Sequence, residues 1–259
     1  SRTSAAKEIP HQFLTLLFGL AALLGFGRLP YRYWRKIAGW LFILSLLMTL
    51  LVFIPGLGFS FGGASRWISL GSRTFQPSEF LKFGLVIYLA AWLAKVRGQV
   101  TTWKSGFLPF LLFVGLAGVV LIAQPDIGTF LVLFSAAGAM FFAAGARWRQ
   151  LFALGLAALI GFSIILAIKP HAQKRVYTFF YPNEKVESSS WQINRSLIAI
   201  GSGGLTGRGF GQSLQKFNYL PQPIGDSIFA VAAEEFGLLG GAALVLAFTV
   251  FVIWGFRIA

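Results

Sequence analysis

The chain has 259 residues, of which 56% are hydrophobic and only 12% charged, with 22 basic side chains against 8 acidic ones, a net charge of +14 and no cysteine. Soluble domains carry about 25% charged residues, so this composition excludes an ordinary cytosolic globule, and its aliphatic and aromatic content excludes disorder. Without cysteine the chain has no disulfide framework and no thiolate-held metal or iron–sulfur centre.

Seven apolar stretches are long enough, or nearly so, to cross a hydrocarbon core of about 30 Å. In chain order they are Phe13–Gly27, Ile37–Ile54, Phe80–Ala94, Phe107–Ala123, Ile127–Ala144, Leu151–Ile168 and Leu238–Phe256. Each is expected to be a helix, because lipid offers backbone N–H and C=O groups no partner, and the continuous runs do not alternate as barrel strands do. The fold class is therefore an all-α polytopic membrane protein, a single membrane domain over 1–259. The opening segment carries Glu8 and Pro10 and does not read as a secretory signal.

The short connections set the orientation. Arg28–Lys36, Lys95–Lys104, the turn near Gly145 with Arg147 and Arg149, and Arg257 together hold ten bases and no acid, so this face is read as cytoplasmic. The opposite face carries Pro55–Ser78, a tight turn at Gln124–Asp126 and a long loop over 170–226. Most of the positive charge is thus topological, with contact to anionic lipid as a further consequence, and nucleic acid is not an expected partner. Seven spans put the two ends on opposite sides of the membrane, which reads as a piece of a longer chain.

Five of the eight acids, Glu79, Asp126, Asp226, Glu234 and Glu235, lie at outer-face ends of apolar segments. Carboxylates at such depth are expensive unless paired or facing a wet cavity, so each marks a candidate site. The middles of the spans are almost purely apolar, which argues against a polar path through the membrane and for a site at its outer surface.

Pro77 suits the first turn of a helix capped near Gln76, and Glu79 and Lys82 then share a face three residues apart. They form either a simple ion pair or part of a polar cleft. Asp126 either caps the next helix or lines that cleft, and Asp226 has the same two roles open to it. Arg66 and Arg73 are either interface anchors or phosphate ligands. The stretch 201–211 has six glycines, among them Gly201, Gly203, Gly204, Gly207 and Gly209, and fits no nucleotide-binding pattern. It permits close backbone approach to a ligand, or it is a flexible tether. Ser227–Phe236 reads as a short interfacial helix broken at Gly237.

Four blocks carry a family resemblance. They are Gly63-Ala-Ser-Arg-Trp-Ile-Ser-Leu-Gly71 with Gln76-Pro-Ser-Glu-x-x-Lys82; Gln124-Pro-Asp-x-Gly-Thr129; Ser196-Leu-x-Ala-Ile-Gly-Ser-Gly-Gly-Leu-x-Gly-x-Gly209; and Gln215-Lys-x-x-Tyr-Leu-Pro221 with Asp226 and Ala230-x-Ala-x-Glu-Glu-x-Gly237. In order and spacing the chain resembles the SEDS family, the membrane peptidoglycan glycosyltransferases that include FtsW, RodA and SpoVE, and it is closer to the division member FtsW.

The resemblance implies a bundle of ten helices, of which seven are present here, lacking the first and the last two, with 170–226 as the large extracytoplasmic loop. It implies polymerisation of lipid II at the outer face of the bacterial cytoplasmic membrane, for septal synthesis in cell division. Asp226 falls on the family's essential aspartate and is the candidate catalytic base. Glu79, Lys82 and Asp126 fall on polar positions around the family's cavity. Arg66, Arg73, Arg175, Arg195 and Lys216 are candidates for pyrophosphate contact, by charge and side of the membrane. Implied partners are lipid II and undecaprenyl lipid, a class B penicillin-binding protein transpeptidase and other division proteins. No cofactor is demanded, though a divalent cation (Mg or Mn) is compatible with the family. Where the family commonly has Glu-x-His-Thr-Asp, this chain has Gln222-Pro-Ile-Gly-Asp226, so only the aspartate carries over. A transporter of the same lipid-linked precursor, or a non-enzymatic division scaffold, is the alternative reading.

Overall fold

In a computed structural model of the chain, the described residues are 2–61, 64–70, 73–168, 173, 176–177, 188–215 and 227–258. They divide into two compact units, Ser1–Leu159 and Ile160–Ala259. Each of the seven apolar runs falls on helix, except for its last residue in two of them, Ile54 and Ala144. Among the described residues, five helices are long and apolar enough to cross a membrane, while the apolar parts Phe13–Gly27 and Ile127–Ala143 are shorter.

The first unit contains α1 (Arg2–Gly27), α2 (Tyr31–Leu50, continued by a 3₁₀ turn Leu51–Phe53), α3 (Pro77–Lys95), α4 (Leu108–Ala123, entered through a π-helical turn Trp103–Phe107), α5 (Ile127–Ala143) and the first half of α6 (Trp148–Ile168). Helix α2 starts six residues before the apolar run expected from Ile37, so Arg32, Arg35 and Lys36 lie on its first two turns rather than in a connecting turn. Pro30, in an extended conformation, sets the entry and lets helix geometry begin at once.

Helix α3 is the centre of the packing. Leu81, Leu85, Leu89 and Leu93 repeat every four residues, and all four are buried against Phe42 of α2 and Phe110, Val114 and Leu121 of α4. Phe110 stacks on Phe141 of α5 with ring centroids 4.3 Å apart. At Gly84 the backbones of α2 and α3 approach so closely that a Cβ there would lie 2.9 Å from Leu41 O, the small-residue contact that drives helix association where lipid supplies no hydrophobic force.

The connections sort to two ends. At one end the buried Gln150 donates to Val100 O (3.0 Å) and Thr102 O (3.2 Å) and accepts from the Arg147 amide (2.9 Å), stapling two of the basic connections together. At the other end, 58–75 forms an antiparallel sheet that the sequence reading did not anticipate: β1 (Gly58–Phe61), β2 (Ala64–Leu70) and β3 (Arg73–Phe75), in the order β1-β2-β3. Ile68 pairs with Gly58 on one side and Phe75 on the other. The β1–β2 register shifts between Phe59 and Ser60, which pair with Trp67 and Ser65, so Arg66 is the extra residue of β2 at this irregularity.

The second unit holds the rest of α6, α7 (Ser188–Ser202) and α8 (Ile228–Ile258). Ala199 of α7 packs on Ala230 and Val231 of α8. Helix α8 is interrupted at Gly237, whose backbone is non-helical (φ 68°, ψ −166°), as expected from the glycine there.

Candidate functional site

Two polar clusters stand out, one in each unit. In the first, Asp126 sits at the N-cap of α5, where its side chain accepts from the Thr129 amide at 3.4 Å. The local sequence Asp-Ile-Gly-Thr supplies this cap. The carboxylate is buried, and Arg66 reaches it from β2: Nη1 lies 3.6 Å from Oδ1, while Nη2 donates to Pro125 O at 3.0 Å. Gln76 donates to Asp126 Oδ2 (3.5 Å) and to Ser78 Oγ (3.0 Å). The sheet therefore serves to aim Arg66 at the α4–α5 turn. Gln124, also buried, donates to Thr49 O at 2.7 Å, and neither its Oε1 nor Arg66 Nε has a hydrogen-bond partner among the described residues. Both orphan atoms belong to an outer-end cluster with unspent hydrogen-bonding capacity. Glu79 and Lys82 form an ion pair of 2.8 Å at the surface of α3, with Glu79 half exposed.

The second cluster is built around Glu234 on α8, which is fully buried. Ser213 Oγ donates to its Oε2 at 2.6 Å, the Leu214 amide donates to its Oε1 at 3.1 Å, and Arg208 Nε lies 3.9 Å from Oε1. The backbone is joined as well. The break at Gly237 leaves helix carbonyls and amides without their usual partners, and the glycine-rich stretch takes them up. Arg208 N donates to Glu234 O and Gly209 N to Glu235 O, both at 3.0 Å. In return, Leu238 N donates to Gly204 O at 2.9 Å and Leu239 N to Leu205 O at 3.2 Å. Gly207 (φ 82°) and Gly237 face each other so closely that a Cβ on either would overlap the other strand's backbone. The close approach made by these glycines is thus to the chain's own helix, and the tether alternative does not describe them.

Of the residues picked from sequence, the structure joins Arg66 to Asp126 and Glu79 to Lys82. Arg195 lies over the Trp191 ring, 4.1 Å from its centroid. Arg73 is in β3 opposite Leu70, with its side chain outside the described set. Arg175, Lys216 and Asp226 lie outside the described residues. Arg208 was not among the site residues picked from sequence, and Glu234 was given no role there. Glu234 stood out as an outer-end acid, but nothing in sequence paired it with a base 26 residues away. Among the described residues no three His, Asp or Glu side chains gather to hold a metal ion, and the buried carboxylates of Asp126 and Glu234 each face an arginine, which does not fit a divalent-cation site.

The profile of the FtsW/RodA/SpoVE family, described as "Cell cycle protein", matches residues 3–259. Stage V sporulation protein E of Bacillus subtilis is 38% identical over 248 residues, covering 96% of this chain and 68% of that protein. The probable peptidoglycan glycosyltransferase FtsW of Geobacter sulfurreducens is 37% identical over 247 residues, covering 93% of this chain and 66% of that protein. Among solved structures, a chain of a peptidoglycan synthase complex that coordinates polymerization and crosslinking superposes with a TM-score of 0.66 at 25% identity, covering 90% of this chain and 64% of that one. The rod shape determining protein RodA of Thermus thermophilus superposes with a TM-score of 0.58 at 26% identity, covering 90% and 60%. The chain spans about two thirds of the length of the curated relatives it matches.

Proposed function

The chain belongs to the FtsW/RodA/SpoVE family, and on that footing we propose that it is the membrane portion of a peptidoglycan glycosyltransferase that polymerises lipid II at the outer face of the bacterial cytoplasmic membrane, serving septal synthesis in cell division. The observation that carries this reading is the 37% identity, over 93% of the chain, to a relative named as a probable peptidoglycan glycosyltransferase. The clustering of acids at outer ends of apolar segments supports it, because lipid II presents its sugars and pyrophosphate at that depth.

In the proposed reaction the 4-hydroxyl oxygen of one lipid-linked disaccharide attacks the anomeric carbon of another. The bond from that carbon to the pyrophosphate oxygen breaks, inverting an α linkage to a β-1,4 bond, and undecaprenyl pyrophosphate leaves as an anion. The hydroxyl proton passes to a carboxylate, for which Asp226 is the candidate. A base near the attacking hydroxyl and cations near the departing pyrophosphate are the two electrostatic requirements. Glu79, Lys82 and Asp126 are proposed as polar groups of the substrate region. Arg66, which also serves Asp126, Arg73, Arg175, Arg195 and Lys216 are the proposed phosphate contacts. A class B penicillin-binding protein is the proposed crosslinking partner.

The test is polymerisation of labelled lipid II by the protein reconstituted with such a transpeptidase, comparing wild type with Asp226→Asn, which keeps size and capping but not basicity. Glycan ladders from wild type alone are expected. Ladders of equal yield from both would move the base elsewhere.

A further inference from the structure

A groove runs to the basic end of the first unit. Helices α1, α2 and α3 leave between them an apolar space of about 720 Å³. Small residues open it, Gly19 and Ala22 on the α1 side and Ala90, Ala91 and Ala94 on the α3 side. Trp34 of α2 crosses it, in edge-to-face contact with Phe26 of α1 and Phe83 of α3, with ring centroids 5.6 Å apart in each pair. From Phe83 to Ala94 the groove follows about 16 Å of α3. That is about half of a 30 Å hydrocarbon core, the depth of a single leaflet. Helix α1 leaves the space open: from Phe13 to Gly27 only Ala22 is even partly buried.

One end of this groove is charged. Tyr31 and Arg35 form part of its wall, and both side chains are exposed. Arg28 and Arg32 each lie three residues before one of them, Lys36 follows Arg35, and Lys95 follows Ala94. Neither 28–36 nor 95–104 contains an acid. None of these five bases has an ion-pair partner among the described residues. Length and charge together select the occupant. A soluble anion would meet the bases and leave the groove empty, and a neutral lipid would fill the groove and leave the bases unmatched. A membrane-crossing helix needs about 30 Å of contact, twice what the groove offers. A lipid with a phosphate at the basic surface and an acyl chain one leaflet long matches both features.

We propose that the groove binds one anionic glycerophospholipid of the cytoplasmic leaflet, its phosphate held by Arg35 and the Tyr31 hydroxyl and one acyl chain lying between α1 and α3. A basic face attracts anionic lipid in general; here the attraction is focused on one seam between named helices. The site stands apart from the polymerase reading, which concerns the outer face. The bound chain supplies packing that α1 does not find in the protein, so the lipid ties α1 to the rest of the unit.

The experiment is native mass spectrometry of the chain released from nanodiscs of phosphatidylglycerol or of phosphatidylcholine, read as the fraction of protein that keeps one lipid. Wild type should keep phosphatidylglycerol about fivefold more often than phosphatidylcholine. Arg35→Gln should lower the phosphatidylglycerol fraction about fivefold, the loss of one basic contact, and Arg35→Lys, which keeps the charge, should hold it within about twofold of wild type. Arg149→Gln removes a base from another connection on the same face and should match wild type. Ala90→Trp fills the groove from α3, and Gly19→Leu fills it from α1, where a Cβ meets open space. Both should lower retention about fivefold, and because they stand on different helices, loss of fold in one leaves the other as the test. Equal fractions of the two lipids on wild type, or equal losses in Arg149→Gln and Arg35→Gln, would overturn the site in favour of a diffuse charged face. Unchanged retention in the groove-filling variants would overturn the groove as the seat of the acyl chain. A second copy of the chain kept in place of lipid would overturn the lipid as occupant. All three outcomes leave Asp226-dependent polymerisation untouched.

Discussion

Removing the Glu234 carboxylate tests whether this side chain holds the glycine-rich stretch to α8. In Glu234→Ala two hydrogen bonds are lost, from Ser213 Oγ and the Leu214 amide, together with the Arg208 ion pair. A hydrogen bond to a charged acceptor contributes about 1.5–3 kcal/mol. The Arg208 pair is discounted to under about 1 kcal/mol, because that side chain is more than a third exposed and water can replace its partner. The expected loss is about 3 kcal/mol in the free energy of local opening, which corresponds to roughly a hundredfold faster exchange of the Leu214 amide. Glu234→Gln keeps an acceptor for Leu214, and the Ser213 hydroxyl can turn to accept, so exchange should rise only about tenfold. The assay is hydrogen–deuterium exchange on protein in nanodiscs, resolved at residues 204–215. The amides of Arg208 and Gly209 provide an internal comparison, since their acceptors are backbone carbonyls that the substitution leaves in place. A Leu214 exchange rate in Glu234→Ala within threefold of wild type would refute the idea that this carboxylate is the latch.

Two further predictions concern backbone approach and the first cluster. Gly207→Ala should disrupt the second unit, because its positive φ and its contact with Glu235 O leave no room for a Cβ, whereas Gly201→Ala, which meets open space, should be tolerated within about 0.5 kcal/mol; thermal unfolding of the two variants separates them. Asp126→Asn and Arg66→Gln should each loosen the outer turn by about 1–3 kcal/mol, and the double variant should be less destabilised than their sum by about 1 kcal/mol, as a double-mutant cycle on amide exchange at Thr129 would report; strict additivity would mean that the 3.6 Å pair contributes nothing.

What the sequence made legible was whatever depended on neighbours along the chain. Apolar runs located the helices, because length and composition alone decide what can cross lipid. Asp126 was readable as a cap because its partner is three residues on, and Glu79 with Lys82 because three residues make a helix face. The sheet over 58–75 carried a local signal that went unused: two residues, Gly62 and Gly63, separate β1 from β2, and Gly71 and Ser72 separate β2 from β3, which are hairpin spacings. Its purpose was not readable, since Arg66 meets Asp126 across 60 residues. The same limit applies to Glu234 and Arg208. Their types and their side of the membrane were visible, but only the fold shows that one holds the other.

The break in α8 and the glycine-rich stretch explain each other. A helix interrupted within an apolar run exposes N–H and C=O groups that lipid cannot satisfy, so such a break persists only where other protein supplies partners. A partner segment bonding to the broken helix at 234, 235, 238 and 239 must come closer than side chains allow, which is why glycine appears on both sides of the contact, at Gly207 and Gly237. Once the stretch is docked, Ser213, Leu214 and Arg208 lie within reach of the helix residue at 234, where an alanine would remove the carboxylate that accepts from the Ser213 hydroxyl and the Leu214 amide and faces Arg208. A glutamate there satisfies all three at once. The backbone repair accordingly places a buried carboxylate beside a partly exposed guanidinium, and the polar chemistry of this unit is concentrated where its helix is interrupted.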